Sequence, residues 1–454
     1  MRISPLRVRS SRDRLIGAAL LGSLLVASLT AGCSTGRPED FGRRWVRAHP
    51  YTLMGLCLNN EWHDIPLYEA AGFNHMLAWK PWREPLMEPV AEHKLTWFGN
   101  IPWITPHDER TGIKRDHTTL VPALMRSYPG NVGWLVNDEP TPVELNATAE
   151  IMEWIRSRYP DALVFSNLGA DPNYKEHALN FLRTLEPDVM MYDSYPFNSI
   201  TLTWDQADRD QWFARAGIVR RAALNAGVPY WACVHSIDRS GEKRLSSESN
   251  LRMQLFVYLT YGYTGQTYFM YDFGFKNASG LLDEKRMPSH IYRYAAGANR
   301  EVANIGRVIR FLTSTGVFAV PNAAGVDPFV DPKILATWKS QLAANDRLRS
   351  VRVLDTGPDG HGLIGNFKDD RGRNYFMLTN LWRKPGQVEG SSENTTLSFR
   401  LIFDPSVRSI WRLDRGTGRP EKLNIADPAK GLDVSLPGGT GDLFKIGDGA
   451  FPGL

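Results

Sequence analysis

Two adjacent carboxylic acids, Asp138 and Glu139, follow the apolar residues 133–136 and are followed at once by Pro140. Acids are disfavoured inside strands and proline cannot donate a ladder hydrogen bond, so a strand over this stretch must end near Glu139. Loops at the carboxyl ends of strands form the active sites of α/β enzymes. A pair of acids at such a position predicts general acid–base chemistry. The alternative is a polar turn that only begins the next helix.

Eight short apolar segments, separated by stretches with helical periodicity, predict alternating strands and helices. The strands are predicted over residues 52–58, 73–79, 95–103, 132–137, 162–167, 188–192, 229–235 and 267–271. Helices are predicted over residues 144–159, 174–185, 251–261 and 291–312. Such a series predicts an α/β fold, a (β/α)8 TIM barrel over residues 51–315. A doubly wound open sheet is the alternative, but Asn59, Asn60 and Glu61 stand where its glycine-rich phosphate turn would follow the first strand.

The texture of the sequence changes after about residue 316. Helical periodicity stops, and short alternating segments are separated by turn residues. These segments cover residues 362–367, 374–381, 395–403, 407–413 and 441–446. They predict a C-terminal antiparallel β-sandwich domain over residues 316–454 that accompanies the barrel.

The first 33 residues have the pattern of an export signal. The basic residues Arg2, Arg7, Arg9, Arg12 and Arg14 precede the apolar stretch 15–27, which is followed by Leu29-Thr30-Ala31-Gly32-Cys33. This pattern is similar to a bacterial lipoprotein signal peptide and implies lipidation of Cys33. The stretch is shorter than the about 20 apolar residues of a membrane span, and an uncleaved N-terminal anchor is the alternative. We therefore predict an exported protein of the bacterial cell envelope that contacts the membrane only through its N-terminal lipid, with residues 34–50 as a linker.

The charge of the chain is concentrated in that first segment. Residues 1–33 contain five of the 53 basic and one of the 49 acidic residues, so the remainder is neutral overall. A neutral protein without a basic face excludes nucleic acid as a partner. Apart from Cys33 only Cys57 and Cys233 are present, and both lie in apolar strand-like runs. Two distant cysteines do not form a disulfide framework, which predicts buried free thiols.

In a barrel, the residues that follow each strand meet at one rim. Here they combine acids, amides and aromatic rings: Asn59, Glu61, Trp79, Trp103, Asn137, Asp138, Glu139, Asn167, Asp193, Tyr195, His235 and Asp272. Cleavage of a sugar bond needs one acid that protonates the leaving oxygen and a second carboxylate, while amides bind hydroxyls and aromatic rings stack on sugar faces. We therefore predict a carbohydrate partner, an oligo- or polysaccharide substrate, and chemistry that needs no metal or organic cofactor.

Several motifs also resemble glycoside hydrolases of the TIM-barrel clan whose acid/base glutamate follows strand four, in particular its β-galactosidase-like members. They are Asn137-Asp138-Glu139-Pro140 and the stretches 192–197, 251–271 and 436–444. The resemblance implies that Glu139 is the general acid/base and that Asn137 or Asp138 contacts the substrate. The period of two along a strand independently predicts that Leu135, Asn137 and Glu139 face the barrel interior while Asp138 points away.

One departure from that clan leaves the second carboxylate open. The clan carries its nucleophilic glutamate after strand seven, where this sequence has Cys233-Val234-His235-Ser236. Glu242 and Glu248 lie downstream, and Glu248 suits the first turn of the next helix because its charge complements the helix dipole. His235 either binds sugar hydroxyls or is a buried histidine with its hydrogen bonds satisfied.

Three arrangements would supply the missing group: Asp193, Asp272, or the acetamido group of the substrate. In the third, an N-acetylhexosaminidase, Asp138 would orient the acetamido group and Glu139 would act as acid/base. A catalytically silent carbohydrate-binding lipoprotein on the same fold is the alternative from another functional class.

Overall fold

Eight parallel strands form a closed barrel in this protein. The computed structural model describes residues 40–57, 64–82, 84–102, 116–197, 206–239, 245, 247–272, 278–326, 347–355 and 360–454. Its helices are α1 Phe41–Ala48, α2 Ile65–Ala70, α3 Glu84–Glu92, α4 His117–Ser127, α5 Leu145–Arg158, α6 Tyr174–Leu185, α7 Gln206–Ala226, α8 Glu248–Tyr261 and α9 His290–Ile309. The first ten strands are β1 Thr52–Cys57, β2 His75–Ala78, β3 Thr96–Ile101, β4 Asn131–Asp138, β5 Leu163–Leu168, β6 Met190–Tyr192, β7 Tyr230–His235, β8 Asp238–Arg239, β9 Gly265–Phe269 and β10 Ala278–Ser279.

The barrel order is β1-β2-β3-β4-β5-β6-β7-β9, and β9 pairs in parallel with β1. The predicted (β/α)8 TIM barrel is therefore confirmed. Apolar side chains fill its interior: Met54, Leu56, Leu77, Phe98, Leu135, Leu163, Phe165, Val189, Met191, Trp231 and Cys233. The opposite faces of the strands pack against helices, so both faces are buried and the strands stand out in the sequence as continuous apolar runs.

Helix α1 closes the amino-terminal end of the barrel. Its Trp45 is 5% exposed and joins the interior cluster, with ring centroids 5.9 Å from Phe98 and 6.1 Å from Trp231. The prediction of a linker over residues 34–50 is therefore wrong for residues 41–48, which form this packed helix. Polar residues dominate the stretch, and the burial of Trp45 depends on a barrel mouth that only the tertiary structure creates.

Replacing Trp45 with alanine is expected to lower the free energy of unfolding by about 3–4 kcal/mol, because a large aromatic side chain leaves a filled cluster. Urea denaturation would measure this loss. Arg44→Ala on the same helix is the matched control, since Arg44 is exposed and its ion pair is with the exposed Asp40. A loss of less than about 1 kcal/mol for Trp45→Ala would show that α1 does not seal the barrel.

After α9 the chain forms two antiparallel sheets. Their strands are β11 Thr313–Val320, β12 Leu348–Val353, β13 Gly362–Lys368, β14 Asn374–Asn380, β15 Leu397–Phe403, β16 Ser409–Leu413, β17 Pro420–Asn424, β18 Leu432–Leu436 and β19 Gly441–Ile446. The orders are β11-β13-β14-β19-β16-β17 and β12-β15-β18. Phe318, Phe376, Phe399 and Phe444 belong to the apolar core that the two sheets share. The predicted β-sandwich is confirmed, although β11, β12, β17 and β18 were not predicted.

The sandwich packs on α8, in which every residue from Ser249 to Tyr261 is buried. The hydroxyls of Thr260 and Thr379 are 2.7 Å apart, joining α8 to β14. A chain of ion pairs continues this interface. It joins Arg252 to Glu248 and Glu301 at 2.7 and 2.9 Å, and Arg415 to Glu301 and Asp442 at 3.1 and 2.7 Å.

Cys57 and Cys233 are buried free thiols, as predicted. Among the helices described here, none is both long and apolar enough to cross a membrane. The predicted signal peptide and Cys33 lie outside the described residues.

Candidate active site

A bulge at the end of β4 determines which way the paired acids face. Leu135 pairs with Phe165 and Asp138 pairs with Asn167, so two residues of β4 stand opposite one residue of β5. An extra residue in a strand reverses the facing of the strand residues that follow it, here up to Asp138, where β4 ends; the left-handed φ of 54° at Glu139 takes that residue out of the alternation. Asp138 therefore faces the barrel side that Leu135 faces. The prediction that Asp138 points away was wrong, because it assumed an unbroken period of two. The same assumption placed Glu139 on the inward face, whereas Glu139 is exposed and its side chain lies against Gly169.

Asn137 turns away from the rim. Its amide nitrogen donates to the hydroxyl of Thr148 on α5 at 3.1 Å, and its carbonyl accepts a hydrogen bond from Ser166 at 2.8 Å. Its φ of 52° lies in the left-handed region, which asparagine tolerates better than most residues. Asn137 therefore stabilises the bulge, and the prediction that it faces the substrate was wrong.

Asp138 is a partly buried carboxyl group with one strong neighbouring charge. The side-chain amide of Asn167 donates to it at 3.0 Å. Burial and the charge of Glu139 raise its pKa to about 6, against the lowering effect of the Asn167 hydrogen bond. Asp138 thus exchanges its proton in the range in which general acids and bases work at neutral pH.

Glu139 stands at the exposed lip beyond Asp138. Its backbone N–H donates to the carbonyl of Asn167 at 3.1 Å, and its φ is 54°. Its side chain lies flat over Gly169, where a β-carbon would come within 2.7 Å of the Glu139 β-carbon. The absence of a side chain at residue 169 therefore determines where this carboxylate lies. Pro140 follows directly, as expected for a strand that ends here.

Asp193 approaches the same end of the barrel from β6. Its N–H donates to the carbonyl of Leu168 at 3.4 Å. Burial, and then the charges of Asp193, Asp138 and Glu139, raise the pKa of the Cys233 thiol well above its usual value. The pKa of Tyr195 is raised mainly by burial and in addition by the charges of the same three carboxylates. Asp138, Glu139 and Asp193 therefore lie at the same end of the barrel, within electrostatic range of Tyr195 and Cys233.

Aromatic rings line this end of the barrel. Tyr195 stacks on Phe269 with centroids 5.3 Å apart, and it meets His235 edge-on at 5.7 Å. Trp79 is half-buried and packs, like Tyr195 and Phe269, against the interior cluster. Trp79 and Tyr195 thus lie where the sequence predicted stacking groups.

His235, at the end of β7, is completely buried. Its ring Nε2 lies 3.0 Å from the carbonyl of Ile237, and Gln254 bonds both its N–H and its carbonyl, at 2.8 and 3.1 Å. These contacts favour the buried histidine of the two predicted roles. No residue of β7 is an acid, so this strand does not supply the second carboxylate.

Of the other predicted residues, the structure describes Asp272 and Glu248. Asp272 follows β9 and is fully buried. The pKa of the Cys57 thiol is raised first by burial of the thiol and second by the charge of Asp272. Glu248 begins α8, as predicted, and pairs with Arg252. Asn59, Glu61, Trp103 and Glu242 lie outside the described residues. Among the residues that are described, no group of three or more His, Cys, Asp or Glu is arranged to hold a metal ion.

Two contributors to this site were not predicted from the sequence. The hydroxyl of Ser166 donates a hydrogen bond to the bulge at the carbonyl of Asn137, but nothing in the sequence distinguishes this serine from other serines in strands. Gly169 supports Glu139, and the glycine that follows a predicted strand and Asn167 was the available signal.

No protein-family model and no curated relative matches the sequence. Among solved structures, it is similar to the β-galactosidase of the Antarctic haloarchaeon Halorubrum lacusprofundi, with 16% identity, a TM-score of 0.39 and coverage of 56% of this chain and 58% of that one. It is also similar to α-L-arabinofuranosidases of Thermotoga petrophila and Thermotoga maritima. For the Thermotoga petrophila enzyme the identity is 9% and the TM-score 0.45, and the match covers 88% of this chain and 96% of that one. For the Thermotoga maritima enzyme the identity is 10% and the TM-score 0.44, and the match covers 88% of this chain and 97% of that one. Activity must therefore be argued from the carboxyl groups at the rim of this barrel.

Proposed function

We propose that this protein is a glycoside hydrolase that cleaves O-glycosidic bonds of an envelope or extracellular glycan by carboxylate acid–base catalysis. The observation that carries the proposal is that Asp138 and Glu139, at the end of β4, and Asp193, after β6, flank the end of β5. Asp138 pairs with Asn167, and the N–H groups of Glu139 and Asp193 donate to the carbonyls of Asn167 and Leu168. The pKa of Asp138 is also raised to about 6. Glycosidic cleavage needs one group that carries a proton at neutral pH and a second that is ionised.

Glu139 is the proposed acid/base because it is exposed at the lip, where a leaving oxygen arrives. As general acid it transfers a proton to that oxygen as the bond from the anomeric carbon to oxygen breaks, and the adjacent Asp138, whose pKa is about 6, is the member of the pair that holds a proton near neutral pH. Asp193 is the proposed second carboxylate. It either attacks the anomeric carbon or removes a proton from the attacking water. Water supplies the new hydroxyl on the anomeric carbon and returns a proton to the carboxylate pair.

Two features support a sugar as the substrate. The side-chain oxygen of Asn167 is buried and has no hydrogen-bond partner among the described residues. A buried acceptor is normally satisfied, so a hydroxyl of a bound ligand is a fitting donor. The aromatic groups Trp79, Tyr195 and Phe269 provide flat apolar faces beside it.

The test is hydrolysis of a panel of aryl glycosides and oligosaccharides by the wild-type protein and by Asp193→Asn. We expect hydrolysis of at least one substrate class, and a loss of about 100-fold or more in kcat for Asp193→Asn. NMR of the first product would give its anomeric configuration. Sugar binding without hydrolysis by the wild type would instead identify a silent carbohydrate-binding protein.

The inward-facing Asp138 favours a second candidate, a substrate-assisted N-acetylhexosaminidase. That mechanism needs an acid beside the acid/base that faces the pocket and orients the acetamido group, and the bulge in β4 turns Asp138 to that side. The acid-free end of β7 agrees with it. Hydrolysis of 2-acetamido glycosides but not of their 2-hydroxy counterparts would support this candidate, whereas activity on both would contradict it.

Gly169→Ala is expected to lower kcat by about 100-fold and the free energy of unfolding by about 1–3 kcal/mol, because contact with the Glu139 β-carbon cannot be relieved by a side-chain rotation alone. The new methyl group displaces Glu139, while φ at residue 169 is not one that only glycine favours. Gly217→Ala is the matched control, because there a β-carbon meets the flexible end of Arg221 at 3.3 Å and makes an ordinary contact of 3.8 Å with the Tyr261 ring. Steady-state kinetics and urea denaturation measure both quantities. An unchanged kcat in Gly169→Ala would contradict the role of Glu139.

We also propose that the protein is anchored to the cell envelope through a lipid on Cys33, as the sequence of residues 29–33 implies. The mature chain should then partition into detergent and carry acyl mass at its N-terminal cysteine. Cys33→Ala should abolish both. A detergent-soluble protein that retains residues 1–32 would point to an uncleaved anchor instead.

A further inference from the structure

The segment 381–392, which leaves β14 of the sandwich, contacts the first turn of α8. The N–H of Ser249 donates to the carbonyl of Gly390 at 2.9 Å, and the N–H of Ser392 lies 3.3 Å from the carboxylate of Glu248. The N–H of Lys384 bonds the Ser249 hydroxyl at 3.3 Å. Because α8 follows β7, its first turn lies at the carboxyl end of the barrel, so this segment of the sandwich reaches the rim.

Arg383 of this segment extends onto the rim itself. Its guanidinium donates to the side chain of Asn250 at 3.2 Å and lies 5.3 Å from the centre of the Phe197 ring. The Phe197 ring in turn is 5.8 Å from His235. A guanidinium over an aromatic face attracts the ring electrostatically, so Arg383 restrains Phe197.

Phe197 follows Asp193 and Tyr195 in the segment that comes directly after β6. Trp212 holds this segment at Ser194, to whose carbonyl its indole N–H donates at 3.0 Å. Arg383 contacts it at Phe197. We propose that Arg383 is a positioning residue, through which the β-sandwich fixes the loop that carries the second carboxylate, Asp193.

The expected change in kcat rests on the proposed function, whereas the expected change in the order of residues 193–197 does not. Arg383→Met removes the charge and keeps the aliphatic stem. We expect it to lower kcat about tenfold with KM changed less than about threefold, because Asp193 is displaced while the binding groups on β4 and β5 are not. Arg383→Lys, which restores a cation over Phe197, should recover kcat to within about threefold of the wild type.

The matched control is Arg400→Met, which removes an arginine that pairs with Asp433 on the exposed face of the sandwich. Hydrogen–deuterium exchange of the peptide covering residues 193–197 is the readout that does not require turnover. We expect faster exchange there in Arg383→Met, and wild-type exchange in Arg383→Lys and Arg400→Met.

Unchanged exchange of residues 193–197 in Arg383→Met would overturn the inference, as would equal kcat losses in Arg383→Met and Arg400→Met. A wild-type protein that hydrolyses no glycoside, together with the expected exchange pattern, would leave the positioning role supported and overturn the proposed function. The two failures are therefore distinguishable.

Discussion

Glu139→Gln is expected to lower kcat by about 100- to 10,000-fold, because general acid–base catalysis contributes that factor and glutamine cannot transfer a proton. Its stability should stay within about 0.5 kcal/mol of the wild type, since Glu139 is exposed and its backbone contacts are retained. Steady-state kinetics on an aryl glycoside with a poor leaving group would show the full effect. A good leaving group needs little protonation and should reduce the loss.

Glu153→Gln is the matched control, because Glu153 is an exposed glutamate on the neighbouring helix α5. It should hydrolyse all substrates at the wild-type rate. Hydrolysis that survives unchanged in Glu139→Gln would remove Glu139 from the mechanism, and the pair of Asp138 and Asp193 would then have to supply both carboxylates.

Asp138→Asn is expected to change activity and stability in opposite directions. Activity should fall about 100-fold, because a carboxyl group that faces the pocket and exchanges its proton near neutral pH is lost. Stability should rise at pH 8, because a partly buried charge beside Glu139 is removed. Asparagine can still accept the hydrogen bond from Asn167, so the local structure has no reason to change.

The pH dependence of this gain follows from the raised pKa of Asp138. With a pKa of about 6 in the folded protein and about 3.9 in the unfolded chain, the folded state binds more protons between these values. The free energy of unfolding therefore decreases as pH rises from about 4 to 6, and the full penalty, of the order of 2–3 kcal/mol, is present above about pH 6.

Urea denaturation of Asp138→Asn and the wild type at pH 4 and pH 8 would test this sign. The difference between the two proteins should be near zero at pH 4 and should favour the variant at pH 8. Asp161→Asn, which changes an exposed aspartate before β5, should show no such difference. A variant that is less stable than the wild type at pH 8 would show that the Asp138 carboxylate is stabilised in the folded protein.

The architecture was predictable because its main signals are local. Continuous apolar runs such as 162–167 locate barrel strands, and the helical spacing of 174–185 locates α6 at its observed bounds. Asp138, Glu139 and Asp193 follow from that order, because parallel strands bring their carboxyl ends to one rim. The strand β9 begins two residues earlier than predicted, at Gly265. It includes the buried Gln266, whose amide nitrogen donates to the Tyr51 hydroxyl and the Leu255 carbonyl, contacts that no local pattern reveals.

The features that could not be predicted depend on contacts distant in sequence. The bulge in β4 is stabilised by Thr148 and Ser166, so the facing of Asp138 cannot be derived from the period of its own strand. Arg383 lies 186 residues after Phe197, and only the packing of the sandwich on α8 brings the two together. Edge strands such as β17 carry exposed charged residues and look like loops.

The complete burial of α8 affects how this protein could have diversified by domain shuffling. A helix that is covered on all sides has no solvent-adapted face to present if the β-sandwich is lost or exchanged. The ion pairs of Arg252 and Arg415 would also be broken, leaving partly buried charges without partners. Loss of the sandwich is therefore expected to destabilise the barrel, and a recombinant protein that carries a foreign accessory domain would need a redesigned α8.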